Sequence, residues 1–196
     1  MLASIVTTTI HKPVLLAGYC ENARNYGHDD VNFIVVGDKK TPLTVSDYCE
    51  QLVQKYGYDV LYYDVERQIN YLDRFPQLAN HLPFNSVQRR NIGLLLAYET
   101  DADVIITIDD DNFVTDQDFV GGHLVVGTNQ ELISVSSDSG WFNVCEMLTE
   151  QENRPFYHRG FPMGQRWQKT SITQGHRIAR VMVNAGLWLN DPDIDA

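Results

Sequence analysis

Three consecutive aspartates follow an apolar run in the segment DVIITIDDD, residues 103 to 111. Like charges at this spacing repel one another, so the arrangement costs energy unless a positive partner is nearby. Hard divalent cations such as Mg²⁺ and Mn²⁺ take oxygen ligands, usually one or two protein carboxylates together with phosphate and water. The triplet therefore predicts a metal site at the end of a buried strand.

The position of each aspartate in the triplet predicts its role. In an extended segment alternate side chains point the same way, so Asp109 and Asp111 could share one cation. Asp110 would then point elsewhere, to a sugar hydroxyl or a backbone amide. A calcium-decorated or merely solvated loop is the alternative, although no EF-hand pattern of glycine and acids follows.

Short β-rich runs alternate with helical runs along the first half of the chain. Strands are predicted at ASIVTTTI, NFIVVGD, YDVLYYD and DVIITI. Helices are predicted over residues 13–27, from a capping box at Thr44 and Asp47, and from a cap at Asn85 through SVQRRNIGLLLAYET. This order predicts an α/β fold with a Rossmann-like, mostly parallel central sheet and helices on both faces.

Polar residues collect where the predicted strands end, which is where such sheets bind ligands. They are Thr7, Thr9, Asp38, Asp64 and the aspartate triplet. Asp38 and Asp64 each have a second interpretation, because turns favour aspartate for their own geometry. Neither a Walker phosphate loop nor a GxGxxG fingerprint is present, so a bound metal is the expected means of handling phosphates.

Composition narrows the classes of partner. The chain has 196 residues and a formal net charge of −11, which predicts one domain over residues 1–196 and disfavours nucleic-acid partners, since these require a basic patch. Its three cysteines are widely spaced and have no CxxC pattern, which favours a reducing compartment. No apolar run reaches the roughly 20 residues of a membrane span. We therefore expect a cytoplasmic protein without a transmembrane segment.

Three segments together resemble a known family. TIDDDNFV, after a helix containing RRNIG, is similar to the DXD region of the GT-A glycosyltransferases, which use nucleotide sugars with Mn²⁺ or Mg²⁺. With YHRGFPMGQR and NAGLWLNDPDIDA, it resembles more narrowly the reversibly glycosylated polypeptides, the UDP-arabinopyranose mutase family. The resemblance is weak before residue 85 and clear after it, and it implies a GT-A fold and a UDP-sugar donor.

The resemblance also implies roles for individual residues. It assigns Asp109, Asp110 and Asp111 to the metal and diphosphate site, and Arg90 to the arginine of the preceding helix. The residues matching the uridine-binding positions are Thr7, Thr9 and Asp38. The residues matching the arginines of the family's sugar-accepting segment are Arg159 and Arg166. Here the chain departs from the family, with Met163 and Gly164 in place of an aromatic residue and a serine, and with a longer insert at about residues 64–84.

Catalysis by such a site requires further polar groups. An arginine fork binds phosphate bidentately and could stabilise a leaving diphosphate, although Arg159 could equally pair with a surface acid. A carboxylate is also needed near the anomeric carbon as base or stabiliser. The candidates that the sequence offers are Asp138, Asp191, Asp193 and Asp195.

Two other functions remain open from the sequence. The chain could be a catalytically inactive nucleotide-sugar-binding subunit in a homo- or hetero-oligomer, or a nucleotidyltransferase, although the latter normally has a glycine-rich basic loop after its first strand. In the related family the GLWLN segment lies near the middle of the polypeptide. We therefore expect residues 1–196 to be the nucleotide-binding part of a longer protein, or a shortened homologue completed by a partner chain. The acceptor is not predicted.

Overall fold

A computed structural model describes residues 1–147, 157–158, 160–186 and 194–195 of the chain. The chain divides into two compact units, Met1–Gly127 and Thr128–Ala196. Each unit is described by itself below. No helix within the described ranges is long and apolar enough to cross a bilayer.

The first unit contains a four-stranded parallel sheet. Its strands are β1 (Ala3–Thr8), β2 (Val31–Val36), β3 (Asp59–Tyr63) and β4 (Val104–Asp109), in the order β3-β2-β1-β4. In this register Thr8 at the end of β1 lies opposite both Val36 of β2 and Asp109 of β4. The predicted α/β fold with a parallel central sheet is confirmed, and the predicted strand ends meet at one edge.

Six helices connect and cover these strands. They are α1 (Leu16–Asn25), α2 (Thr44–Tyr56), α3 (Val65–Leu72), α4 (Pro76–His81), α5 (Arg90–Glu99) and α6 (Phe119–His123). A short 3₁₀ turn, Val87–Arg89, leads into α5. The stretch predicted as an insert, about residues 64–84, holds α3 and α4.

Alternate residues of the strands face two separate apolar cores. Ile5 and Phe33 belong to the core formed with α1 and α2, whereas Val6 and Ile34 belong to the core formed with α5 and its neighbours. This alternation follows from the two-residue period of a strand. Helices therefore cover both faces of the sheet, as predicted.

A glycine allows α5 to lie directly against β1. A Cβ atom on Gly93 would come within 2.5 Å of Val6 Cγ1 and 3.1 Å of Val36 Cγ2. Only a residue without a side chain fits this contact without displacement. The close approach fixes where α5 begins, and so brings Arg90 to the carboxyl edge of the sheet.

Two predicted helix caps are wrong. The residue before α2 is Leu43, which makes no side-chain cap hydrogen bond, so Thr44 begins the helix and does not cap it. Ser86 caps the 3₁₀ turn before α5 by accepting from Gln88 N, whereas Asn85 has a positive φ of 53°. Asp64 instead caps α3 by accepting from Arg67 N at 2.7 Å, as the turn interpretation of that aspartate predicts.

The second unit is built mainly from an antiparallel pair of strands, β5 (Asn129–Ser137) and β7 (Ile172–Arg180). Two residues each of β6 (Tyr157–His158) and β8 (Ile194–Asp195) form a second antiparallel pair. Short 3₁₀ turns occur at Val144–Met147 and Met163–Gln165. The elements that position the candidate site all belong to the first unit.

Candidate functional site

The aspartate triplet lies across the end of β4 and the turn that follows it. The strand ends at Asp109, and Asp110 and Asp111 are in a turn. Asn112 closes this turn, because its backbone N–H donates to the Asp109 carbonyl at 3.3 Å and its Oδ1 accepts from Asp109 N at 3.0 Å. The segment is therefore not extended, and side-chain alternation does not set which carboxylates would share an ion.

Each aspartate of the triplet has a different neighbour. The carboxylate of Asp109 is paired with the guanidinium of Arg90. The Oδ2 atom of Asp110 lies 2.5 Å from the hydroxyl of Thr9, and Asp111 Oδ1 accepts from Asn112 Nδ2 at 3.2 Å. The mutual repulsion of the three charges is thus offset within the protein itself, by one cation and two neutral donors.

Thr9 has a positioning role in this arrangement. Its hydroxyl also lies 2.7 Å from the carbonyl oxygen of His11 and accepts from His11 N at 2.9 Å. The sequence predicts Thr9 as a nucleotide contact, and within the protein its hydroxyl contacts the loop after β1 and Asp110. Thr9 therefore orients Asp110 and stabilises the loop.

A small open concavity lies beside these residues. Its empty volume is about 170 Å³, and it is lined by Thr7, Pro13, Leu15, Leu16, Tyr19, Ile108, Asp109, Asp110 and Asn112. It brings together three of the predicted site residues, Thr7, Asp109 and Asp110, while Asp111 is absent from the lining. Because this space is open to solvent, the concavity is a shallow depression of the surface and not an enclosed ligand cavity.

Tyr19 of α1 forms part of the wall of this concavity. Its side chain is only 3% exposed, and its ring packs edge-on against Phe119 at a centroid distance of 4.9 Å. Burial, with a smaller effect of the Asp109 charge, raises the pKa of the Tyr19 phenol to about 12. The phenol is therefore a neutral hydrogen-bond donor at physiological pH.

Helix α1 also holds the chain that follows the triplet. The Asn22 amide nitrogen donates to the carbonyl oxygens of Thr115 and Gln117, at 3.3 and 2.7 Å, and its Oδ1 accepts from Phe119 N at 3.1 Å. A single buried side chain thus satisfies three backbone groups of the segment between β4 and α6. These hydrogen bonds hold the chain that leaves the aspartate turn against α1.

Asp38, at the end of β2, is buried and held by backbone groups. Its carboxylate accepts from Lys39 N at 2.7 Å and from Ser86 N at 3.3 Å. Its own N–H donates to Thr41 Oγ1, and that hydroxyl donates to the Thr9 carbonyl, both at 2.7 Å. The loops after β1 and β2 are therefore connected, with Asp38 and Asp110 on either side of the link.

Arg89 is a buried charge near Asp38 that the sequence interpretation missed. Its side chain is 2% exposed; Nε donates to Gln68 Oε1 at 2.6 Å and Nη1 donates to the Leu82 carbonyl at 3.1 Å. Nη2 is buried and has no hydrogen-bond partner among the described residues. Burial lowers the pKa of Arg89, and the negative charge of Asp38 opposes this.

The remaining predicted residues belong to the second unit or lie outside the described residues. Asp138 Oδ1 accepts from Ser171 N at 3.1 Å, just beyond the last residue pair of β5 and β7. The Arg166 guanidinium lies 5.3 Å from the ring centroid of Tyr157. Of the other candidates, Arg159, Asp191 and Asp193 lie outside the described residues, and Asp195 is described only as part of β8.

The donor set at the concavity fits a hard cation in its chemistry. Carboxylate oxygens of Asp109 and Asp110 are the ligand type that Mg²⁺ and Mn²⁺ prefer, and one or two such ligands are usual when phosphates supply the rest. The described part of the chain contains no cluster of three or more acidic, histidine or cysteine side chains that could hold a metal unaided. We therefore expect any cation here to bind together with a phosphate ligand.

No protein-family model matches the chain, and no curated protein matches it.

Proposed function

We propose that the chain binds a UDP-sugar with Mn²⁺ or Mg²⁺ and acts as a glycosyltransferase or UDP-sugar mutase of the reversibly glycosylated polypeptide type. The observation that supports this most is the concavity at the carboxyl ends of β1 and β4, lined by Asp109 and Asp110. Parallel sheets of this class bind nucleotides at that edge. In this proposal the diphosphate and cation bind at the surface beside the Asp109 and Asp110 carboxylates.

Asp38 and Arg89 are the groups that we assign to the nucleoside end. Both side chains are buried, and the loop containing Asp38 is joined to the loop containing Thr9 through Thr41. A buried carboxylate and a buried guanidinium can both hydrogen-bond to the polar edge of a base. A base that accepted a hydrogen bond from Arg89 Nη2 would satisfy a buried donor that otherwise has no partner among the described residues.

Arg90 is the group that we expect to meet the phosphates. Its pair with Asp109 is partly exposed, with side-chain exposures of 23% and 51%, and such pairs contribute little to stability. Asp109 would be a carboxylate ligand of the cation, and the guanidinium fork of Arg90 beside it would bind a phosphate oxygen. The bound cation would supply charge neutralisation of the leaving diphosphate.

The chemical step needs groups that would act at the sugar. Asp110, held by the Thr9 hydroxyl, is the carboxylate of the concavity that we assign there. Catalytic roles for three further residues remain predictions: Arg166 and Arg159 from the family resemblance, and Asp138 as a candidate carboxylate near the anomeric carbon.

Calorimetric titration of UDP tests the binding part of the proposal. We expect binding in Mn²⁺ and its loss in chelator, and an affinity at least about tenfold lower for Asp109→Asn and for Asp110→Asn, since loss of even an outer-shell metal partner costs that much. Asp59→Asn is the control, because Asp59 is an exposed aspartate at the opposite end of the sheet. The assignment of Asp109 and Asp110 to a metal-dependent UDP site would be contradicted if wild type and the three variants bound UDP equally. It would also be contradicted if wild type bound UDP equally well in Mn²⁺ and in chelator.

The variant Arg90→Lys tests whether ligand binding needs the forked guanidinium group of Arg90 or only its positive charge. Lysine keeps the positive charge but cannot bind phosphate bidentately, so UDP affinity should fall measurably, and further in Arg90→Ala. Unchanged dissociation constants in both variants would assign Arg90 to its contact with Asp109 alone.

Turnover distinguishes the proposed enzyme from the other functions. A panel of UDP-sugars is incubated with the chain in Mn²⁺, and released UDP and rearranged UDP-sugar are measured by chromatography. Release or rearrangement supports transferase or mutase activity, whereas binding without either supports an inactive subunit. Pyrophosphate formed from UTP and a sugar phosphate would instead indicate a nucleotidyltransferase.

A further inference from the structure

Phe84 is a half-buried aromatic residue whose ring is contacted by two cations. The turn that contains it is joined to the end of β2, because Ser86 N donates to the Asp38 carboxylate at 3.3 Å. The guanidinium carbon of Arg89 lies 4.2 Å from the ring centroid of Phe84, and the ammonium nitrogen of Lys39 lies at the same distance, 4.2 Å. The ring is therefore beside both groups that we assign to the nucleoside end.

The two cations differ in their exposure to solvent. Arg89 is 2% exposed, and Gln68 holds its Nε atom, so Arg89 contacts the ring from within the protein. Lys39 is exposed, and a contact between an exposed ammonium and a ring contributes little to stability. The flexible stem of Lys39 can carry the ammonium into solvent. A change of its side-chain conformation would thus uncover the ring of Phe84 without any movement of the backbone.

The chemistry around the ring suits a planar base that has carbonyl groups. Every nucleobase has a flat π face that can stack on an aromatic side chain. Uracil also has two carbonyl oxygens, which are hydrogen-bond acceptors, and the two cations beside Phe84 are hydrogen-bond donors. The carboxylate of Asp38 is an acceptor for the ring N–H of such a base.

We propose that Phe84 stacks against the uracil base of bound UDP, in the place that the Lys39 ammonium takes in this structure. Phe84 is then a ligand-binding residue that recognises the flat face of the base. This inference rests on the proposed function, because it takes a uridine nucleotide as the ligand and Asp38 and Arg89 as its nucleoside end. It adds a stacking contact to a site otherwise defined by charges and hydrogen bonds.

The diphosphate of dihydrouridine tests the stacking contact directly. Reduction of the carbon–carbon double bond of uracil removes the flat aromatic face but keeps both carbonyl oxygens and the ring N–H. Calorimetry in Mn²⁺ should show that wild type binds UDP about tenfold more tightly than dihydrouridine diphosphate, which is within the range of one base–aromatic stack.

Two substitutions of Phe84 assign this preference to its ring. Phe84→Leu keeps an apolar side chain without a π face, so it should bind UDP about tenfold more weakly than wild type and should not distinguish UDP from dihydrouridine diphosphate. Phe84→Tyr keeps the ring and should retain the preference for UDP.

Phe75→Leu is the matched control. Phe75 is also half-buried, and the guanidinium carbon of Arg74 lies 5.1 Å from its ring centroid. Its ring, however, packs against Tyr71 at a centroid distance of 5.9 Å, in the segment between α3 and α4. This variant should prefer UDP to dihydrouridine diphosphate as the wild type does.

Lys39→Gln tests whether the base takes the place of the ammonium. The variant lacks the cation that the base displaces. Uridine, which has no phosphate for Lys39 to contact, should therefore bind Lys39→Gln at least as tightly as it binds wild type.

Three results would overturn the inference and leave the proposed function standing. They are equal affinity of wild type for UDP and dihydrouridine diphosphate, a preference for UDP that Phe84→Leu retains, and weaker binding of uridine by Lys39→Gln. The first comparison uses only the wild-type protein, so it is decisive even if Phe84→Leu does not fold. Absence of UDP binding by the wild type would refute the proposed function, and this inference with it.

Discussion

Replacement of Gly93 by alanine tests whether the close contact between α5 and the sheet is required. The added Cβ would lie 2.5 Å from Val6 Cγ1 and 3.1 Å from Val36 Cγ2, and these valines are 0% and 1% exposed. Neither side chain can move into solvent, so α5 must shift. Overpacking of this kind costs about 1–3 kcal/mol, and the better helix propensity of alanine returns about 1 kcal/mol. We expect Gly93→Ala to lower the free energy of unfolding by about 1 kcal/mol.

Gly122→Ala is the control that isolates the steric cost. Gly122 lies in α6, and a Cβ atom there would meet nothing within 4 Å. Alanine at that position should therefore be neutral or stabilising by up to about 1 kcal/mol. Because the propensity gain is similar in both helices, the difference between the two variants measures the overpacking term, about 1–3 kcal/mol.

The stability difference between Gly93→Ala and Gly122→Ala can be measured by urea unfolding of both variants and the wild type, followed by far-UV circular dichroism. It is calculated from the unfolding midpoints if the three m-values are equal. If Gly93→Ala were as stable as Gly122→Ala, α5 would not be packed on Val6 as described. The position of Arg90 at the carboxyl edge would then lose its structural basis.

The other predictions concern buried polar groups of the first unit. Gln68→Leu should lower the free energy of unfolding by about 1–3 kcal/mol, because it leaves Arg89 Nε and the carbonyls of Gly37 and Tyr63 without their hydrogen-bond partner; urea unfolding measures this against the exposed control Gln54→Leu, and equal stability of the two variants would contradict it. Burial raises the pKa of the Cys20 and Cys49 thiols to about 12 from an ordinary 9.0. Both should therefore resist alkylation at pH 8 in the folded protein and react in denaturant, as mass spectrometry of peptides can show. As pH rises, the two thiols lose their protons in the unfolded state before they do so in the folded state. The stability that the protonated thiols contribute is therefore complete below about pH 9 and is lost as pH rises towards 12. A free energy of unfolding that stayed constant between about pH 9 and 12 would contradict this expected decrease.

The sheet could be predicted because buried parallel strands have a strong sequence signal. Both faces of β2 are covered, and all six of its residues are buried, which favours a nearly continuous apolar run such as FIVV. The order of strands and helices then restricts the topology to a parallel sheet. These features depend on hydrophobic pattern alone, which a single sequence contains.

The geometry of the aspartates could not be predicted in the same way. The interpretation of Asp109 and Asp111 assumed that the strand continues, but the Asn112 side chain closes a turn after Asp109. Asparagine is a common turn residue for this reason, so the signal was present in the segment DDDN. The helix caps were predicted wrongly because the boundaries differ by one residue: α2 already includes Thr44, and Ser86, not Asn85, caps the turn before α5.

Arg89 is a buried residue that the sequence interpretation missed although a signal for it is present. Gly93 faces the sheet, and Arg89 precedes it by four residues, which places both on one face of a helical segment. This spacing indicates burial of Arg89, whereas the lack of a partner for its Nη2 among the described residues depends on neighbours that only the fold brings together.

The partners of the three aspartates change what the triplet itself implies. As a sequence, three adjacent like charges indicate a missing cation, because nothing near them in the chain offsets the repulsion. In the fold, Arg90, Thr9 and Asn112 each offset one of the charges, so the triplet is tolerated without a metal. Charge repulsion alone therefore does not require a ligand here. The place of Asp109 and Asp110 at the carboxyl ends of β1 and β4, the edge at which parallel sheets bind ligands, favours one more strongly.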